Sequence, residues 1–181
     1  MSKALLIIDM QKFVEERINQ GINYYPLNAI SNMELVLQRF RANNDVVLHV
    51  RHRTEQPDSS LHPSSPLYPA IDAFRERANE PVFFKNTSSA FASTHLKAWL
   101  DSHFISEVFV IGAVAGFCVH STVREGSDLG VKMTVLKDAV LSFDIPALKK
   151  EARNIHAVTL ALLETDFATV RSVRNSENIS G

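Results

Sequence analysis

Short runs of aliphatic residues recur along the chain, each ending at a polar residue or a turn, with amphipathic stretches between them. Leu5-Leu6-Ile7-Ile8 is a continuous apolar run ending at Asp9, the pattern of a strand buried on both faces. After an irregular stretch to Pro26, residues Ile30, Met33, Leu35, Leu37 and Phe40 fall at mixed three- and four-residue spacings. They predict a helix over Asn28 to Arg41, ended by Asn43-Asn44-Asp45. Val46 to Val50 predicts a second strand, and the Pro-, Ser- and His-rich stretch that follows to Pro69 has no period and reads as a long loop. Pro81-Val82-Phe83-Phe84 predicts a third strand ending at Lys85, and Ser93 or Thr94 is placed to cap a helix through Leu96, Trp99 and Leu100. A fourth strand over Val108 to Ile111 leads to a helix from near Cys118 towards Leu129. Lys132 to Leu136 predicts a fifth strand, Ala147 to Glu164 a long helix, and Phe167 to Val170 a sixth strand.

Apolar strands alternating with helices imply an α/β fold, and right-handed crossovers narrow it to a doubly wound, six-stranded parallel sheet with helices on both faces. The expected strand order is 3-2-1-4-5-6. With 181 residues, 45% of them hydrophobic, and no internal repeat or linker, residues 1–181 read as a single domain. Ligands of such sheets bind beyond the carboxyl ends of the strands, where the winding reverses. Asp9, Lys85 and the segment from Gly112 all stand at strand ends, and neighbouring strands one and four would bring Asp9 beside the turn into Cys118.

Nineteen basic and twenty acidic residues leave a formal charge of -1, which supplies no field for nucleic acid or an anionic membrane. A small molecule or another subunit is the expected partner. The single cysteine forms no internal disulfide, and Ala4 to Ile8 is too short for a signal-peptide core or a membrane span, so a cytoplasmic setting is expected.

Cys118 follows the small-residue turn Gly112-Ala113-Val114-Ala115-Gly116-Phe117, at a predicted helix start. Free backbone amides and the helix dipole there would favour a thiolate nucleophile and could hold an oxyanion. On position alone, that reading and a small buried packing residue weigh equally. Asp9 after four aliphatic residues suits a partly desolvated general base, since burial and a neighbouring cation act in opposite directions on a carboxyl group. Taken singly, a capping Asp9 and a solvated loop Lys85 are the commoner roles. Their joint placement with Cys118 favours catalysis.

With Asp9-Met10-Gln11 after an aliphatic strand, Lys85 at a strand end, Ser89-Ala90-Phe91, the Gly-led turn into Cys118-Val119, Asp128-Leu129-Gly130 and Asp138-Ala139, the chain resembles the isochorismatase-like cysteine hydrolases over nearly its whole length. That family includes nicotinamidases and carbamoylsarcosine amidases. The resemblance implies a cofactor-free hydrolase that cleaves an amide-like C–N bond of a small molecule. Asp9 would take the thiol proton, Lys85 would assist, and Cys118 would form a thioester that water releases. It also implies a non-proline cis peptide at Ala113-Val114 that places an amide for the oxyanion, and a homo-oligomer, dimer or tetramer. Gln11, Phe13, Ser89, Phe91 and Phe117 are the expected substrate contacts, with Phe143 a further pocket candidate and His120 either at its mouth or simply exposed. Ala115 and Gly116 depart from the Thr and Asp or Asn of many members.

His49, His52 and His62 invite a metal reading, but residues three apart on a strand face opposite ways, and Arg51-His52-Arg53 stands where nicotinamidases carry an Asp-x-His metal pair. No metal is expected, and nicotinamide is disfavoured. Arg51 to Arg53 would bind an acidic group or lie solvated in a loop. The alternatives are hydrolysis of an enol ether such as isochorismate, which retention of Cys118 disfavours, and a catalytically silent module of the same fold. Dinucleotide binding is weak without a glycine-rich loop after strand one. Ile155, Val158, Leu160 and Leu163 of the long helix must cover the sheet or a partner subunit.

Overall fold

A computed structural model describes residues 2–174; residue 1 and residues 175–181 of the expected domain lie outside the described residues. In chain order the elements are β1 (Ser2–Ile8), α1 (Lys12–Asn19), β2 (Tyr24–Tyr25), α2 (Ala29–Ala42), β3 (Val46–His52), β4 (Val82–Lys85), α3 (Leu96–Ser102), β5 (Ile105–Ala113), α4 (His120–Asp128), β6 (Lys132–Phe143), α5 (Ala152–Asp166) and β7 (Thr169–Arg171). Among the described residues, no helix is long and apolar enough to cross a membrane.

The parallel strands lie in the order β4-β3-β1-β5-β6-β7, which is the expected 3-2-1-4-5-6 once the short β2 is set aside. β2 adds what the sequence did not announce: two residues, Tyr24 and Tyr25, antiparallel to the end of β6. β1 needs apolar side chains at every position because both its faces are covered. Leu5 and Ile7 pack with Met33, Leu37 and Phe40 of α2, while Ala4, Leu6 and Ile8 pack with Leu96 and Leu100 of α3, Val123 of α4 and Leu163 of α5.

Three expectations need correcting. The stretch between Asp9 and Pro26 is not irregular, since Lys12–Asn19 is helical; Val14 alone is buried there, too little apolar surface to show a period. β6 does not stop at Leu136 but runs to Phe143. Val110 pairs with Val135 but Gly112 pairs with Val140, so β6 bulges across the polar Lys137-Asp138, which reads locally as a strand end. The long helix starts at Ala152 rather than Ala147, because Pro146–Leu148 forms a separate turn and Lys149 is left-handed at φ 52°. Asp144 Oδ1 accepts the Ala152 N–H at 2.7 Å.

The loop between β3 and β4 is tied down by one buried charge cluster. Arg41 donates two hydrogen bonds of 2.7 Å to the Glu80 carboxylate, which also lies 2.8 Å from His49 Nε2. His49 therefore faces away from any shared site with His52, and His62 pairs with Ser64 Oγ in an exposed loop.

Candidate active site

Four neighbouring strands deliver their carboxyl ends to one place. His52 and Lys85 are the last residues of β3 and β4 and lie opposite each other in the ladder. Asp9 follows β1, and β5 ends at Ala113, just ahead of Cys118. β1 and β5 approach unusually closely here, because Gly112 at φ +126° lies with its missing Cβ position 2.2 Å from Ile8 O. Only glycine permits that contact. The Ala113–Val114 peptide is cis, at the bond the family resemblance singles out. The chain then winds through a wide π-type turn, Ala115–Val119, which carries Cys118 and leads into α4, where a plain helix start was expected.

Lys85 sits at the centre. It is wholly buried, and its ammonium lies 2.8 Å from Asp9 Oδ2, 2.8 Å from His52 Nδ1, 3.1 Å from the Thr87 carbonyl and 3.2 Å from Cys118 Sγ. The solvated-loop reading of Lys85 is thereby excluded. An ammonium only donates, so His52 Nδ1 accepts and its ring proton belongs on Nε2. Burial, then the charge of Lys85, lowers the His52 pKa and keeps the ring neutral. Asp9, His52 and Cys118 offer ligand atoms within 4.8 Å of one another, a set of metal-binding type. The Lys85 ammonium already lies in contact with all three side chains, so a cation is built into the site.

The sulfur's surroundings oppose the thiolate that a place near a helix start would favour. Burial first, and the Asp9 charge second, push the Cys118 thiol up to about 11, with Lys85 pulling the other way. A nucleophile held as the thiol would need a base. Asp9 Oδ1 is buried without a hydrogen-bond partner.

Gln11 takes a different role from the expected substrate contact. Its fully buried amide donates to the carbonyls of His52 (3.1 Å) and Tyr68 (2.8 Å) and accepts the His52 N–H (2.9 Å). It is a brace that sets the His52 backbone. Ser89 Oγ accepts the Phe91 N–H at 3.1 Å, and Phe91 is buried among the residues under α3 and α4. Phe13 packs on the opposite side of the sheet, against the α2 cluster. Phe117 is 54% exposed beside Cys118, and the mainly buried Phe143 lies near it. His120 Nε2 is buried without a partner, so the ring is not simply exposed. Arg51 pairs with Glu76 and is not a free anion site. Gly116 lets α5 approach, its missing Cβ falling 3.2 Å from Ile155 and 3.3 Å from Thr159. His52 carries little signal in the sequence, because the apolar run ends at Val50 while β3 continues to His52. Its one mark is its place beyond that run, like Lys85.

The family model described as Isochorismatase domain matches residues 3–174. The chain belongs to the isochorismatase family. It is 28% identical over 172 residues to an uncharacterized isochorismatase family protein, YrdC, of Bacillus subtilis (strain 168), covering 93% of this chain and 90% of that one. A crystal structure of a candidate hydrolase of this family from Chromobacterium violaceum superposes with a TM-score of 0.89 at 28% identity, covering 96% and 91% of the two chains. N-carbamoylsarcosine amidase from Thermoplasma acidophilum shares the fold, with a TM-score of 0.77 at 22% identity and full coverage of both chains. A streptothricin hydrolase of Streptomyces noursei is 29% identical over 148 residues, covering 80% of this chain and 51% of that one.

Proposed function

We propose that this protein hydrolyses the C–N bond of a small amide through a thioester on Cys118. The observation that carries the reading is a single buried ammonium, Lys85 Nζ, in contact with both the Asp9 carboxylate (2.8 Å) and the Cys118 sulfur (3.2 Å). On attack, the thiol proton passes to Asp9 Oδ1 as sulfur bonds to the carbonyl carbon, while Lys85 stabilises the charge developing on sulfur. Backbone amides of the 113–118 turn hold the oxyanion. Asp9 returns its proton to the nitrogen as the C–N bond breaks, then takes one from the water that cleaves the thioester. The carboxylic acid leaves and Cys118 recovers its proton. The amidase that shares this fold supports the choice of bond. The free thiol suits a reducing, cytoplasmic compartment. Val158 and Leu162, 60% and 54% exposed on the outer side of α5, support a homo-oligomer.

The test is iodoacetamide alkylation of Cys118 against pH, followed by a screen of small amides for ammonia release. The wild-type midpoint is expected well above the free-cysteine value of about 8.5. It should fall in Asp9→Asn, which removes a charge that raises it, and rise in Lys85→Met, which removes one that lowers it. A midpoint near 8.5, indifferent to both variants, would remove the basis of the triad. Undiminished ammonia release by Cys118→Ala would overturn the thioester.

A further inference from the structure

Beside the Cys118 turn lies a cavity that this chemistry does not use. It measures about 310 Å³ and is walled by Val114 and Phe117 of the turn, Phe143, Ile145 and Pro146 beyond them, and Arg17 in the last turn of α1. The walls are hydrocarbon except at Arg17 and Asp144. Asp144 is already engaged, since Oδ1 accepts from Ala152 N at 2.7 Å and Oδ2 from Asn23 Nδ2 at 3.0 Å. Arg17 is the opposite case. Its guanidinium stacks over the Phe143 ring at 4.8 Å, and Nε is buried without a hydrogen-bond partner. None of the ion pairs among the described residues involves it.

Complementing the carboxyl end of α1 would account for a cation here, but a solvated guanidinium serves that purpose equally. A buried, unsatisfied N–H is unfavourable, and a planar guanidinium is matched best by a carboxylate. Its seat on an aromatic ring at one edge of an apolar cavity defines a ligand with an anionic end and an apolar body. Val114 and Phe117 belong both to this cavity and to the turn that presents Cys118, so one short turn links the cavity to the site.

Resting on the amide-hydrolase reading, we infer that the cavity is a substrate subsite: it takes the carboxylate of a small acidic amide on Arg17, with the apolar spacer along Phe117 and Phe143 and the amide carbonyl at Cys118.

Binding is measured by calorimetry on the Cys118→Ala protein, where no turnover intervenes, with 4-carbamoylbutanoate, 4-carbamoylbenzoate and their methyl esters as probes. At least one acid should bind about 10- to 100-fold more tightly than its ester, the range of a charge-assisted hydrogen bond. Adding Arg17→Met should erase that preference, and Arg17→Lys should restore part of it. Acids that bind no better than their esters, or a preference that survives Arg17→Met, overturn the subsite. Failure of the amide reading looks different. Selective acid binding would persist, but the protein with Cys118 intact would release no ammonia from any probe.

Discussion

Replacing Gly112 with alanine tests whether the close approach of β1 and β5 builds the site. The added Cβ would lie 2.2 Å from Ile8 O, 2.7 Å from Ile8 N and 2.9 Å from Ile8 C, all backbone atoms. No rotamer relieves such a clash, and non-bonded carbon and oxygen atoms ordinarily stay about 3.3 Å or more apart. β1 must therefore shift by about 1 Å within a ladder that holds it to β3 and β5 on either side. A non-glycine residue at φ +126° adds backbone strain. Strain of about 1–3 kcal/mol together with overpacking of about 1–3 kcal/mol gives an expected loss of about 2–6 kcal/mol. For a chain of this length that lowers Tm by about 4–24 °C. Gly130→Ala is the control, because Gly130 also has positive φ (+82°) but nothing within 4 Å of its added Cβ. Its cost should be the conformational part alone, about 1–2 kcal/mol. Calorimetric unfolding of the two variants separates the terms. Since Asp9 directly follows Ile8, the Gly112 variant should also move the Cys118 alkylation midpoint back towards about 8.5. A Gly112→Ala protein melting within about 2 °C of Gly130→Ala would refute the reasoning.

Two further outcomes follow from the buried polar contacts. Gln11→Leu should cost about 2–5 kcal/mol in urea unfolding, since it strands the His52 N–H and the carbonyls of His52 and Tyr68. Unchanged stability with only a raised KM for a substrate would return Gln11 to a substrate contact. Glu80 makes an acid-stability prediction. Burial works to raise its pKa, but hydrogen bonds from Arg41, the Arg77 N–H and His49 outweigh it and bring the carboxyl from 4.5 down to about 2. The folded value lies below the unfolded one, so this stabilisation is complete above 4.5 and is lost as pH falls through about 2. Glu80→Gln should flatten the stability–pH curve across that window in urea titrations, and an unaltered slope would count against the assignment.

Much of this architecture is local and therefore readable. Leu5 to Ile8 announces a strand buried on both faces because every position is aliphatic, and crossover handedness then orders the parallel strands. Asp9 and Lys85 stand out as polar residues ending apolar runs, and Cys118 as the residue after a glycine-led turn. α1, with Val14 as its only buried residue, and β6, interrupted by Lys137-Asp138, were not readable, because neither carries an unbroken period. Other properties depend on groups far apart in sequence. His52 reaches Lys85 only because β3 and β4 pair in one register, and Gln11 becomes a brace only because the Tyr68 loop folds back over it. The balance of effects on the Cys118 thiol is out of reach of the sequence for the same reason. A helix start is visible in the chain, but desolvation by the surrounding core and the charge of Asp9, 109 positions away, decide the pKa. The sequence by itself determined that six parallel strands form and marked Asp9, Lys85 and Cys118 beyond them, because short-range patterns carry both. Only the tertiary structure decided which of those residues meet and what their neighbours do to them, because burial and charge act through space rather than along the chain.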